Sequence, residues 1–185
     1  MQFKVDISQI SAAVSMSDID GMREQAMHAN RLLHTGQGAG SEYLGWVNLP
    51  SVISKKELCE IKRVATALRE KAEVIISIGI GGSYLGAKAV IEALTDNFRQ
   101  LRDNREPIVV FAGQNLSEDY TWELLNALKE RSIALIVISK SGTTLEPAIA
   151  LRVFKAELER RYGQEEAARR IAVVTDSSRG SLKTM

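Results

Sequence analysis

The sequence has a single cysteine, Cys59, among 185 residues, so no disulfide can form within the chain, which fits a reducing compartment. It has no surplus of either charge. Lys and Arg number 24 against 23 Asp and Glu, a net charge of +1 with no basic stripe, which argues against nucleic acid as a partner. No apolar run approaches the ~18 residues of a membrane span. The opening MQFKVDISQI lacks the apolar core of a secretory leader. These absences lead to the expectation of a soluble, cytoplasmic protein. The two histidines, His28 and His34, lie six apart with no carboxylate or cysteine at a ligand spacing, so surface or packing roles are expected of them. Cys59 falls on an expected helix, where a buried filler role is favoured over a nucleophile.

What the chain does have is an ordinary globular balance, 45% apolar and 25% charged residues. A domain of this length buries roughly 70% of the surface that its unfolded chain exposes. Helical spacing runs over residues 17–34 and stops at TGQGAG (35–40), where three glycines favour a loop. After GWVNLP, Ser54 and Glu57 form a capping-box pattern. The helix that follows, 54–70, carries Leu58, Ile61, Ala65 and Leu68 on one face.

A rhythm then sets in. EVIISIGI (73–80), PIVVFAG (107–113), SIALIVIS (132–139) and RIAVVTD (170–176) are short, rich in β-branched residues and nearly all apolar. Helical patterns separate them at 83–94, from Ser117 onward with Thr121, Leu124, Leu125 and Leu128 on one face, and at 144–162 with Gly163 as its cap. Strands apolar on both faces and alternating with helices predict a parallel sheet covered on both sides. The expected fold class is α/β, a three-layer αβα sandwich around a doubly wound sheet of four to five strands. Residues 1–49 read as an N-terminal helical arm with a Gly-rich loop, and 50–185 as the α/β domain. The chain stops just after the fourth strand, so the rhythm reads as truncated at its carboxyl end.

Two loops at strand ends carry the chemistry, as ligands in such sheets bind beyond the carboxyl ends of the strands. GIGGSYLGAKA (79–89) fails as a dinucleotide fingerprint, since Tyr84 stands where glycine is needed and the second strand ends VVFAG without a ribose-binding acid. It fails as a phosphate loop too, since Ala87 precedes Lys88 and Ala89 gives magnesium no hydroxyl. What remains is Gly81 and Gly82, which let a ligand approach the backbone, and Ser83 at a helix start. A plain strand-to-helix turn with Ser83 as N-cap fits equally well.

The second loop is SKSGTT (139–144). A helix N-terminus offers unpaired N–H groups and about half a positive charge. Ser139, Ser141, Thr143 and Thr144 add hydroxyls, Lys140 adds charge and Gly142 permits an unusual backbone angle. One helix cap needs one hydroxyl, and this loop has four. Three or four charge-assisted hydrogen bonds, roughly 1.5–3 kcal/mol each, could hold a phosphate monoester. Phosphate binding is therefore the reading preferred over a capping turn, with both loops able to touch one phosphate.

The stretches IGIGGSYLGAKAVIEAL and VISKSGTTLEPAIALRVF, with the approach HTGQGAGSEYLGWVNLP and the exit VTDSSRGSLKTM, resemble the sugar isomerase (SIS) domain of bacterial glucose-6-phosphate isomerases. That resemblance covers the chain from about Leu32. It implies an SIS-type sandwich and a clamp on the phosphate of a sugar phosphate. Gly82 and Ser83 match the first loop of the family, and Ser139, Lys140, Ser141 and Thr144 the second, with Thr143 beside them. It also implies reversible aldose–ketose isomerisation of glucose 6-phosphate and fructose 6-phosphate through a cis-enediol, without metal or organic cofactor, by an enzyme that is a homodimer at full length. The family's proton-transfer residues lie in motifs beyond residue 185. None of His34, Glu118 or Glu146 sits in a matching motif, so no catalytic residue is expected in this chain and the chain alone is expected to be inactive. The alternatives are a non-catalytic SIS module that senses sugar phosphates and, disfavoured by Tyr84, a nucleotide-binding oxidoreductase domain.

Overall fold

The computed structural model describes residues 4–10, 12–96, 98, 106–177 and 180–183. Of the exit motif, Ser178, Arg179, Thr184 and Met185 lie outside the described residues. The chain divides into two compact units, Met1–Leu58 and Cys59–Met185.

The first unit is helical. Ser15 and Asp18 form a reciprocal capping box that starts α1 (Met16–Gly21). A turn at Met22 separates α1 from α2 (Arg23–Thr35). The single helix expected over 17–34 is thus two, broken beside Gly21, a weak helix former. Gly36, in the left-handed region at φ 66°, ends α2. A 3₁₀ turn (Ser41–Trp46) and the short α3 (Leu49–Val52) follow. His28 and His34 are both exposed.

The second unit is built on α4 (Lys55–Lys71), which starts just inside the first. The Ser54 hydroxyl accepts the Glu57 N–H at 3.1 Å, half of the expected capping box. The stripe expected along α4 is buried only toward its end. Leu68 is buried, whereas Leu58, Ile61 and Ala65 are exposed. Leu68 and Ala72, with Val64 partly buried, pack against Ala134, Ile75 and Ile136 of the sheet. Cys59 is exposed, contrary to the buried role expected of it. It stands nine residues before Leu68, and at about 100° per residue that is half a turn away from the buried side.

Four parallel strands form the sheet: β1 (Val74–Ile78), β2 (Ile108–Ala112), β3 (Ile133–Ile138) and β4 (Ile171–Val174), in the order β2-β1-β3-β4. Three helices follow strands: α5 (Leu85–Leu94) after β1, α6 (Glu118–Ala127) after β2, and α7 (Leu145–Arg169) after β3. The chain first runs outward from β1 to β2, then returns to the other side of β1 for β3 and β4. The order reverses between β1 and β3, and that is the switch point of a doubly wound sheet.

The main core lies under α6 and α7. Ile76, Ile78, Ile133, Leu135 and Val137 from the strands meet Leu128, Leu151, Phe154 and Leu158, all buried. The opposite face carries α4 and a thinner cover, and at the end of β4 both Val173 and Val174, which point to opposite faces of the sheet, are exposed. Ser117 caps α6 by accepting the Tyr120 N–H. The helix expected over 144–162 ends at Gly163 (φ 75°), and a further helical segment, closed by Arg169–Glu165 pairing, runs on to Arg169.

At the amino ends of β1 and β3, the Glu73 carboxylate accepts the Ser132 N–H (2.9 Å) and hydroxyl (3.0 Å), and the Glu73 N–H donates to Ser132 O at 3.0 Å. This clip fixes the register Val74 opposite Ile133, and hence Ile78 opposite Val137. The two loops that carry the expected chemistry leave the sheet side by side as a result.

Candidate functional site

Loop one follows β1. Gly79 sits so close to its surroundings that a Cβ there would be 3.1 Å from Ser83 O and 3.3 Å from Ile138 O. Its lack of a side chain is what lets the turn fold back beside β3. Gly81–Ser83 form a 3₁₀ turn, and α5 begins at Leu85 with Tyr84 at the N-cap and no side-chain cap. The helix therefore starts two residues later than expected, and Ser83 is not its N-cap. Tyr84, which spoils a dinucleotide fingerprint, turns its ring onto Phe111 of β2, centroids 5.8 Å apart.

Gly82 is the informative residue of this turn. Its φ is not positive, and an added Cβ would meet no atom within 4 Å. Neither backbone geometry nor packing within the protein calls for glycine here.

Loop two follows β3. Ser139 is buried, its N–H bonded to Val174 O at 3.1 Å and its hydroxyl accepting the Gly142 N–H at 3.1 Å. The Ser141 hydroxyl accepts both the Thr143 N–H (3.2 Å) and the Thr143 hydroxyl (2.9 Å). With both lone pairs of Ser141 Oγ engaged, its own proton is left to donate. Gly142 has φ 69°. Thr144 is the N-cap of α7, but its side chain makes no capping hydrogen bond. The first turn of α7 thus presents backbone N–H groups that its own cap does not spend, with Pro147 having none to satisfy. Lys140 is exposed at the rim.

The seven residues expected at the site, Gly82, Ser83, Ser139, Lys140, Ser141, Thr143 and Thr144, all fall in these two turns at the carboxyl ends of the two strands that flank the switch point. Sequence reasoning missed the residues behind loop two. Thr175 Oγ donates to Ser139 O at 2.8 Å and reaches Lys140 O at 3.4 Å. Ser181 N–H donates to Ser141 O at 3.2 Å and its hydroxyl to Gly142 O at 2.7 Å. These contacts span 35 to 40 residues of chain, and no local pattern announces them. Among the described residues no cluster of His, Cys, Asp and Glu could hold a metal ion, and no helix is long and apolar enough to cross a membrane.

A four-stranded parallel sheet whose order reverses between β1 and β3, with glycine- and hydroxyl-rich turns at that switch point, defines the class of doubly wound α/β domains. Comparison with known proteins narrows it. A family model described as phosphoglucose isomerase matches residues 56–181, and the chain belongs to that family. Glucose-6-phosphate isomerases of Parabacteroides distasonis and Clostridium perfringens are 46% and 45% identical over 182 and 184 residues, in each case 98% of this chain and 41% of the relative. The chain therefore spans well under half the length of these relatives. Among solved structures, a hypothetical protein from Thermus thermophilus matches with a TM-score of 0.72 at 28% identity, covering 91% of this chain and 37% of that one. A glucose-6-phosphate isomerase from Chlamydia trachomatis gives 0.54 at 26% identity, covering 78% and 25%.

Proposed function

We propose that this chain is the phosphate-holding part of a glucose-6-phosphate isomerase. That enzyme interconverts glucose 6-phosphate and fructose 6-phosphate in the cytoplasm, and at full length it works as a homodimer. The observation that carries this reading is the convergence of two donor sets at one switch point: the open backbone at Gly82–Ser83, and the Ser141 and Thr144 hydroxyls with the N-terminus of α7.

In this reading the dianionic phosphate sits between the two turns. Ser141 and Thr144 donate through their hydroxyls, and the amide N–H groups at the start of α7 add the field of the helix terminus. Ser83 donates from the other side, while the bare Cα of Gly82 allows contact with the backbone. Lys140 contributes charge from the rim. The clamp contacts the phosphate equally in the ground and transition states, so it supplies binding and orientation rather than proton transfer. Ring opening and movement of the proton between C1 and C2 need a base and a cationic group to stabilise the enediolate. None of this chain's residues is assigned those tasks.

The test is a thermal-shift titration with fructose 6-phosphate, inorganic phosphate and NAD. Stabilisation by the two phosphates, none by NAD, and no isomerase turnover by the purified chain are the expected results. Stabilisation by NAD alone would overturn the reading. Turnover by this chain would overturn the division of labour.

A further inference from the structure

We propose that Thr175 and Ser181 are positioning residues for the anion loop, holding its carbonyl groups away from the bound phosphate. This rests on the phosphate-clamp reading above and adds two residues to it.

A loop that binds an anion must keep its carbonyl oxygens from facing it, because each carries partial negative charge while the adjacent N–H carries positive. Hydroxyl-rich turns do not guarantee this, since serine and threonine side chains can bond to either kind of group. In this structure the four consecutive carbonyls from Ser139 to Gly142 are all engaged by the segment that follows β4. Thr175 takes Ser139 O at 2.8 Å and reaches Lys140 O at 3.4 Å. Ser181 takes Ser141 O through its N–H and Gly142 O through its hydroxyl. The fit is close: a Cβ on Gly142 would lie 2.6 Å from Ser181 Oγ and 2.7 Å from Leu182 N. With their hydroxyl protons committed to loop carbonyls, Thr175 and Ser181 act through the loop and not on the ligand.

The experiment uses the full 185-residue chain, with inorganic phosphate and fructose 6-phosphate as probes. Affinity is measured by calorimetry at a temperature where each variant is folded, and amide shifts of 139–145 are followed by NMR. Thr175→Val removes the donor at nearly constant volume, and Thr175→Ser keeps it. Phosphate affinity is expected to fall about tenfold in Thr175→Val and to stay within about twofold in Thr175→Ser. Ser181→Ala is expected to lose about threefold, because its backbone N–H still holds Ser141 O. A purely structural role would lower the melting temperature and leave affinity unchanged. Folded Thr175→Val and Ser181→Ala with the affinity of the unaltered chain would overturn this inference alone. An unaltered chain that binds neither probe would remove the clamp reading, and this inference with it.

Discussion

Two glycines in the candidate clamp differ in what the protein's own geometry requires of them, and mutation can separate them. Gly142 is required by the protein itself. Its φ of 69° is one that side chains adopt at a cost, and a Cβ would strike Ser181 and Leu182. Gly142→Ala is expected to destabilise the chain by about 3 kcal/mol, combining backbone strain with the clash, and to lose phosphate binding as the loop moves. Gly82 has no such need. Gly82→Ala is expected to leave stability within about 0.5 kcal/mol, or to raise it slightly by reducing the freedom of the unfolded chain. Phosphate affinity should nevertheless drop at least tenfold. Melting curves paired with phosphate titration check both, and an unchanged affinity in Gly82→Ala would mean that the ligand does not come near that backbone.

The elements that hold these turns in place are tied at the far end of the sandwich by a set of ion pairs. Glu157 on α7 receives Arg160 at 2.8 Å and Arg161 at 2.6 Å, and Arg161 also donates to Leu128 O and Arg131 O, joining α7 to the end of α6. Hydrogen bonding from Arg160, seconded by Arg161 and opposed by burial, holds the Glu157 carboxyl down to about 2 from an ordinary 4.5. Glu166 is lowered by Lys71 first, then by Arg170, and Glu73 by the Ser132 N–H and hydroxyl. A carboxylate with a depressed folded pKa stabilises the fold above its unfolded value, and that stability is lost as the pH falls through the folded value. For Glu157 the loss runs from about pH 4.5 to about 2. It amounts to roughly 2 kcal/mol once the exposure of Arg160 is discounted. Denaturant unfolding at pH 7 and at pH 3 should therefore show Glu157→Gln already weakened at pH 7, with less further loss on acidification than the parent chain. Equal pH dependence in the two would show that the pair contributes nothing.

At the scale of the whole molecule, the parallel sheet was legible in the sequence because strands apolar on both faces alternate with helical patterns, the arrangement of a parallel sheet covered by its crossover helices. Both donor-rich turns were legible because Gly, Ser and Thr congregate where strands end. The strand order was not, since it depends on which strands pair. Nor was the embrace of loop two by Thr175 and Ser181, which is set by the course of the chain after β4. The amphipathic stripe of α4 misled for a physical reason: spacing shows that a helix has an apolar side, not how much of that side the sheet is wide enough to cover. Cys59 was misread in the same way.

The same contrast in burial separates the two units. Among the described residues of Met1–Leu58 none is buried, whereas β1 and β3 contribute Ile76, Ile78, Ile133, Ala134 and Leu135, at 0% exposure, to the second unit. Local opening is governed by the apolar surface it must expose, so helices without buried side chains open at little cost. Hydrogen exchange on the 185-residue chain should therefore find the amides of α1 and α2 exchanging at least a hundredfold faster than those of β1 and β3, whose opening requires loss of the main core. Added phosphate should slow exchange in 139–145 and leave α1 and α2 unaffected, because the donors assigned to it all lie in the second unit. Comparable protection in α2 and β1 would mean that the first unit is stabilised by burial that the described contacts do not contain.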